Sequence, residues 1–119
     1  MWIKLASLFM FLAVALGAFG AHALKSRLTE YYLEVYKTAV MYHFVHALGL
    51  FVVAWLAQIN PSQKVSLAGI FLTIGILLFS GSLYALSVTQ IKWLGAITPL
   101  GGICFLIGWG ILFFAGARG

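Results

Sequence analysis

The chain has 119 residues, 64% of them hydrophobic and only 8% charged, with a formal net charge of +5. A soluble domain carries about a quarter charged residues, so this composition excludes an ordinary globular protein. Nucleic-acid binding is not expected either, because Lys4, Lys25, Arg27, Lys37, Lys64, Lys92 and Arg118 stand singly at the ends of apolar runs, where basic side chains reach for headgroups, and form no basic face.

Four apolar runs approach the roughly 20 residues that a helix needs to cross a bilayer. They cover residues 3–23, 39–56, 65–86 and 93–117. The polar intervals between them are too short for a soluble domain. Residues 1–119 are therefore expected to form one all-α domain, an up-down-up-down bundle of four transmembrane helices with both termini on the same side. Basic residues barely separate the two sides: Lys25, Arg27, Lys37 and Lys92 face Lys4, Lys64, Arg118 and the terminal amine. The count leans only weakly to termini outside.

The first run begins with Lys4 and ends in Ala21-His22-Ala23, which resembles a signal peptide and its cleavage site. The apolar stretch exceeds the usual ~7–15 residues of a signal core, so it is read as an uncleaved helix. Ala13, Gly17 and Ala21, with Gly20 adjacent, form a small-residue stripe that lets another backbone approach.

In "LKSRLTEYYLEVYK", Thr29 is a good N-cap, Glu30 falls in the first turn, and Leu28 and Leu33 occupy staple positions. The second helix is thus expected to start near residue 30 and protrude past the bilayer core, with Tyr31, Tyr32 and Tyr36 at headgroup level and Lys37 meeting Glu34. Asn60-Pro61-Ser62 is the turn into the third helix. In the fourth run, "GAITPLGG" places Gly95, Pro99, Gly101 and Gly102 within eight residues and predicts a kink. The single cysteine, Cys104, lies mid-span and has no partner within the chain.

The polar residues of the spans gather at one depth. His22 ends the first helix; Tyr42, His43 and His46 lie in the first half of the second; Ser80, Ser82 and Tyr84 end the third; Thr98 begins the fourth. The other half of the bundle offers little beyond Thr73. Polar side chains in lipid face the bundle interior or a water-filled space, so these eight residues are expected to line a polar chamber in one leaflet, roofed by the start of the second helix.

Three uses of such a chamber compete. Its residues hydrogen-bond across helices and lock their register; or they bind or pass a small molecule, a lipid headgroup or a proton; or histidines hold a metal or haem, with His43 and His46 on one helical face and His22 opposite. No CxxC or HExxH accompanies them. An enzyme is hard to build here. The chain has no Asp, its only carboxylates are Glu30 and Glu34, and no glycine loop precedes a helix in phosphate-binding order. No catalytic residue, cofactor or metal is assigned; the expected partners are membrane lipids and further copies of the chain, since four short helices bury little surface alone.

The segments "ALGAFGAHAL" (15–24), "YKTAVMYHFVHALGL" (36–50), "LFSGSLYAL" (78–86) and "ITPLGGICFLIGW" (97–109) resemble, in order and spacing, the domain-of-unknown-function family 423, or UPF0382 family. The resemblance implies a small four-span protein of the bacterial inner membrane with its first helix retained. It supplies no catalytic residue, substrate or cofactor. In the family pattern the position of His46 is more regular than that of His43, which makes His46 with His22 the pair to examine.

Overall fold

A computed structural model describes residues 1–117. Arg118, expected at the end of the fourth helix, lies outside the described residues. Helix α1 (Trp2–Phe19) runs on through a wider π-turn, Gly20–Leu24; α2 is Glu30–Ile59; α3 (Gln63–Gly75) passes through a second π-turn, Ile76–Ser80, into α4 (Gly81–Thr89); a 3-10 turn, Lys92–Ala96, leads into α5 (Thr98–Ala117). Together they make four apolar helices long enough to cross a membrane: Trp2–Leu24, Glu30–Ile59, Gln63–Thr89 and Lys92–Ala115. The all-α four-helix architecture is therefore the one the composition and the apolar runs predict.

The helix ends follow from local chemistry. Thr29 is extended, and its hydroxyl accepts the Tyr32 N–H at 3.4 Å, so α2 starts where a capping residue stops the preceding turn. At ~1.5 Å per residue the 30-residue helix α2 is about 45 Å long and overshoots the hydrocarbon layer. The overshoot carries the expected Glu34–Lys37 ion pair, 3.6 Å apart and exposed on both sides, where such a pair adds little stability. Asn60 closes α2, and the Ser62 hydroxyl caps α3 by accepting the Val65 N–H at 3.3 Å.

The break expected within the fourth helix lies at its start instead. Pro99 occupies the first turn of α5, where a backbone N–H would have no intrahelical partner, and the 3-10 turn Lys92–Ala96 absorbs the irregular backbone. Beyond it α5 is continuous.

Helices α2 and α3–α4 form the interior of the bundle. In their most apolar stretches 44% of residues are buried, against 22% in α1 and in the fourth span. The buried side of α2 reads Tyr36, Ala39, His43, His46, Leu50 and Val53, alternating steps of three and four residues as a packed helical seam requires. Val65, Ala68 and Leu72 of α3 and Ile76 of the following π-turn share one core cluster with Leu50 and Val53 of this side. In an uninterrupted α-helix a residue eight positions past Leu72 would be rotated about 80° from it. The π-turn Ile76–Ser80 takes up one extra residue and returns Ser80 to the α2 side, where it is fully buried.

The closest crossing is between α5 and this π-turn. A Cβ at Gly101 would sit 2.3 Å from the Phe79 nitrogen and 2.7 Å from its Cα, and one at Gly75 would run into the Phe105 ring. Gly95 and Gly102 have only ordinary contacts, at 3.8 and 3.9 Å, so Gly101 alone of the three is required for close approach. On α1, Ala13 is buried and Gly17 faces Val40 and Phe44, whereas Ala21 is exposed and its expected place is taken by Gly20, which lies against the Tyr36 ring. Seven residues return a helix nearly to the starting face, but eight overshoot it by about 80°.

Candidate functional site

The seam of α2 carries the two imidazoles into the interior. His43 and His46 are 3% and 4% exposed. Their steps along the chain match those of Ala39, Leu50 and Val53, so the fold treats them as core positions.

His43 Nδ1 lies 2.9 Å from the Tyr84 hydroxyl of α4. Its ring meets Phe9 of α1 edge to face, with centroids 5.9 Å apart. The backbone of Phe9 approaches the imidazole, yet Nε2 is sealed from solvent and closes no hydrogen bond of good geometry. The Tyr84 ring also packs on Tyr36, whose hydroxyl donates to the Leu16 carbonyl of α1. One chain of contacts thus ties α1, α2 and α4 together over about two helical turns.

His46 belongs to a different set of neighbours. Its Nδ1 is 2.7 Å from the Tyr42 carbonyl in the same helix. A carbonyl only accepts, so Nδ1 carries the proton and Nε2 is the lone-pair nitrogen. The ring stacks on Phe105 of α5 at 3.4 Å between centroids, and Trp109 and Tyr42 complete an aromatic surround. Tyr42 itself is exposed on its outer side and packs inward on Phe79.

The hydroxyls are engaged between helices. Ser80 donates to the Ala39 carbonyl at 2.8 Å, a fully buried bond that pins the π-turn to α2. Ser82 and Thr98 share a 2.6 Å hydrogen bond that joins α4 to the first turn of α5. Thr73, the polar residue of the opposite half, donates to the Gly69 carbonyl of its own helix.

Six of the eight residues expected at this depth, His43, His46, Ser80, Ser82, Tyr84 and Thr98, therefore engage the interior, with Tyr42 packed on it from an exposed position, and they form an interlocked layer rather than the walls of a chamber. His22 does not join them. It is exposed on the π-turn after α1, so the expected His22–His46 pair does not form, and His46 bonds within its own helix instead. The rings of His43 and His46 also share no aromatic neighbour. Among the described residues no three His, Cys, Asp or Glu side chains come together as a metal-binding group.

Residue type alone left out Tyr36, Phe79, Phe105 and Trp109, which contribute much of the layer's packing. The three-and-four spacing from Tyr36 through Val53 was the available signal for the first of these. The aromatics of α5 carry no such mark, since α5 is apolar on every side.

A family model described as a protein of unknown function, DUF423, matches residues 16–102. The UPF0382 membrane protein YwdK of Bacillus subtilis is 52% identical over 118 residues, which cover 98% of this chain and 96% of the relative. A UPF0382 membrane protein of Staphylococcus epidermidis is 45% identical over 114 residues, 96% of this chain and 93% of the relative, and one of Staphylococcus haemolyticus is 43% identical over 115 residues, 97% and 93%. No solved structure matches the chain. With four membrane-length helices and near full-length similarity to these membrane proteins, the chain belongs to the DUF423 family.

Proposed function

We propose that this protein is a non-catalytic scaffold of the bacterial inner membrane, with a structural or membrane-maintenance role, both termini on one side, and self-association through its outer helices. The observation that carries this reading is the engagement of the intramembrane polar groups with one another and with the backbone, through Ser80–Ala39, Ser82–Thr98, His43–Tyr84 and Tyr36–Leu16. A permeation path needs polar groups facing water, and these face protein. Self-association is supported by the sparse burial of the first and fourth spans and by Gly110 of α5, where an added Cβ would meet nothing within 4 Å.

One observation favours a second reading, a small-molecule or proton-handling protein: His43 Nε2 is buried without a hydrogen-bond partner, and such groups are costly to keep. Reconstitution separates the two. Liposomes containing the protein are expected to leak protons and potassium no faster than empty ones. Leak that rises in proportion to protein would overturn the scaffold reading in favour of transport. Crosslinking in the same liposomes is expected to yield species above monomer, and monomer alone would remove the self-association.

A further inference from the structure

A groove of about 290 Å³ opens along the outer seam of α1 and α2, with Lys25 and Lys37 on its rim and Gly17, Gly20 and Val40 among its apolar walls. Its depth profile follows from the sequence. Lys25 is the first residue past the π-turn that ends the first span, and Lys37 lies two turns into α2, within the part that overshoots the bilayer core. Gly17 is eight residues before Lys25, about 12 Å deeper along a helix. The groove therefore runs from headgroup level into the hydrocarbon layer.

Its chemistry changes along that path. The rim holds two ammonium groups, and no carboxylate lines the groove. Lys37 does approach Glu34 at 3.6 Å, but with side chains 62% and 67% exposed that pair is weak and leaves the ammonium available. Below the rim the glycines leave the helix surfaces low, and the Tyr36 ring, held by its bond to the Leu16 carbonyl, stands against Gly20. A free anion would have no use for the apolar lower half, and in a net-neutral headgroup the attached cation offsets what the lysines gain from the phosphate.

We infer that this groove binds one anionic phospholipid, its phosphate between Lys25 and Lys37 and the upper part of one acyl chain along Gly17 and Val40. A headgroup of net negative charge at this depth is expected to be preferred over a net-neutral one on the order of tenfold, with Glu34 competing for Lys37. The groove shares only Tyr36 with the buried polar layer, so this inference stands or falls separately from the scaffold reading.

Native mass spectrometry of the full chain with equal amounts of dioleoyl phosphatidylglycerol and dioleoyl phosphatidylcholine tests it. Wild type is expected to retain one phosphatidylglycerol about tenfold more often than phosphatidylcholine. Lys25→Gln with Lys37→Gln, both exposed positions that leave the core untouched, should abolish the preference, whereas Lys4→Gln with Lys64→Gln, on the opposite side, should leave it intact. Ala21→Phe, at an exposed residue lining the groove, should reduce retention of the lipid with both lysines present. Equal retention of the two lipids by wild type, an unchanged preference in the Lys25/Lys37 variant, or an equal loss in the Lys4/Lys64 variant would overturn the site. Displacement of the lipid by added inorganic phosphate would assign the lysines to a free anion and overturn it too.

Discussion

Replacing Gly101 with alanine is expected to destabilise the bundle by about 3 kcal/mol, as large an effect as overpacking a core usually produces. A single methyl group does this because of what it meets. The added Cβ would lie 2.3 Å from the backbone nitrogen of Phe79 and 2.7 Å from its Cα. A side chain in that position could rotate away, but the backbone of a π-turn cannot. Either α5 withdraws from the α3–α4 span or the turn rewinds, and the second course would carry Ser80 away from the Ala39 carbonyl it holds at 2.8 Å. Gly102→Ala is the matched control. Its Cβ would be 3.9 Å from the Phe79 ring, an ordinary contact, and alanine favours helix by up to about 1 kcal/mol over glycine. Unfolding of both variants by denaturant titration in mixed micelles should separate them clearly. Equal stability of the two would mean that α5 does not cross the π-turn as closely as described.

Tyr84→Phe comes second in expected size, at about 1–2 kcal/mol, the upper range for a hydrogen bond inside a membrane protein. The variant keeps the ring and its contact with Tyr36 and loses only the hydroxyl that meets His43 Nδ1. Because Nε2 already lacks a partner, the imidazole would then be buried with neither nitrogen satisfied. The asymmetry of buried hydrogen bonds makes a further expectation. Removing one partner strands the other, while removing both is nearly neutral. His43→Leu, placed against Phe9, should itself cost about 1 kcal/mol because it strands the Tyr84 hydroxyl, and Tyr84→Phe in that background should cost nothing more. A double-mutant cycle read by the same titration should return a coupling of about 1 kcal/mol. A coupling near zero would show that the His43–Tyr84 contact does not lock α2 to α4.

The membrane class, the four helices and most of their ends were readable from residues alone, because they depend on local chemistry. Apolar length set the spans, Thr29 and Ser62 set two helix starts through their own hydroxyls, and Pro99 marked the irregular stretch before α5. What the residues misplaced depended on rotation about a helix axis. Ala21 and Gly20 differ by one position, yet only Gly20 meets Tyr36. Ser80 faces α2 because a π-turn shifts the phase of the helix by one residue, and no residue type announces such a turn in a uniformly apolar run. The candidate site shows the same division. The common depth of Tyr42, His43, His46, Ser80, Ser82, Tyr84 and Thr98 was legible, since depth follows from position along a span. Whether they enclosed space or closed upon one another depended on the aromatic side chains of Phe79, Phe105 and Trp109 that fill the gaps. His22 was expected to face inward because it shares the depth of the other polar residues, but it is exposed on a π-turn whose buried positions are Gly20 and Leu24.

The central claim is that the histidines of α2 belong to a dry, interlocked layer. Magic-angle-spinning NMR of the protein in lipid bilayers, with magnetisation transferred from water to imidazole nitrogens, addresses it directly, because exposed His22 serves as an internal positive control. The account predicts rapid transfer from water to His22 and none above background to His43 or His46. Transfer to either buried ring at a rate comparable to that of His22 would contradict it and place water in the layer.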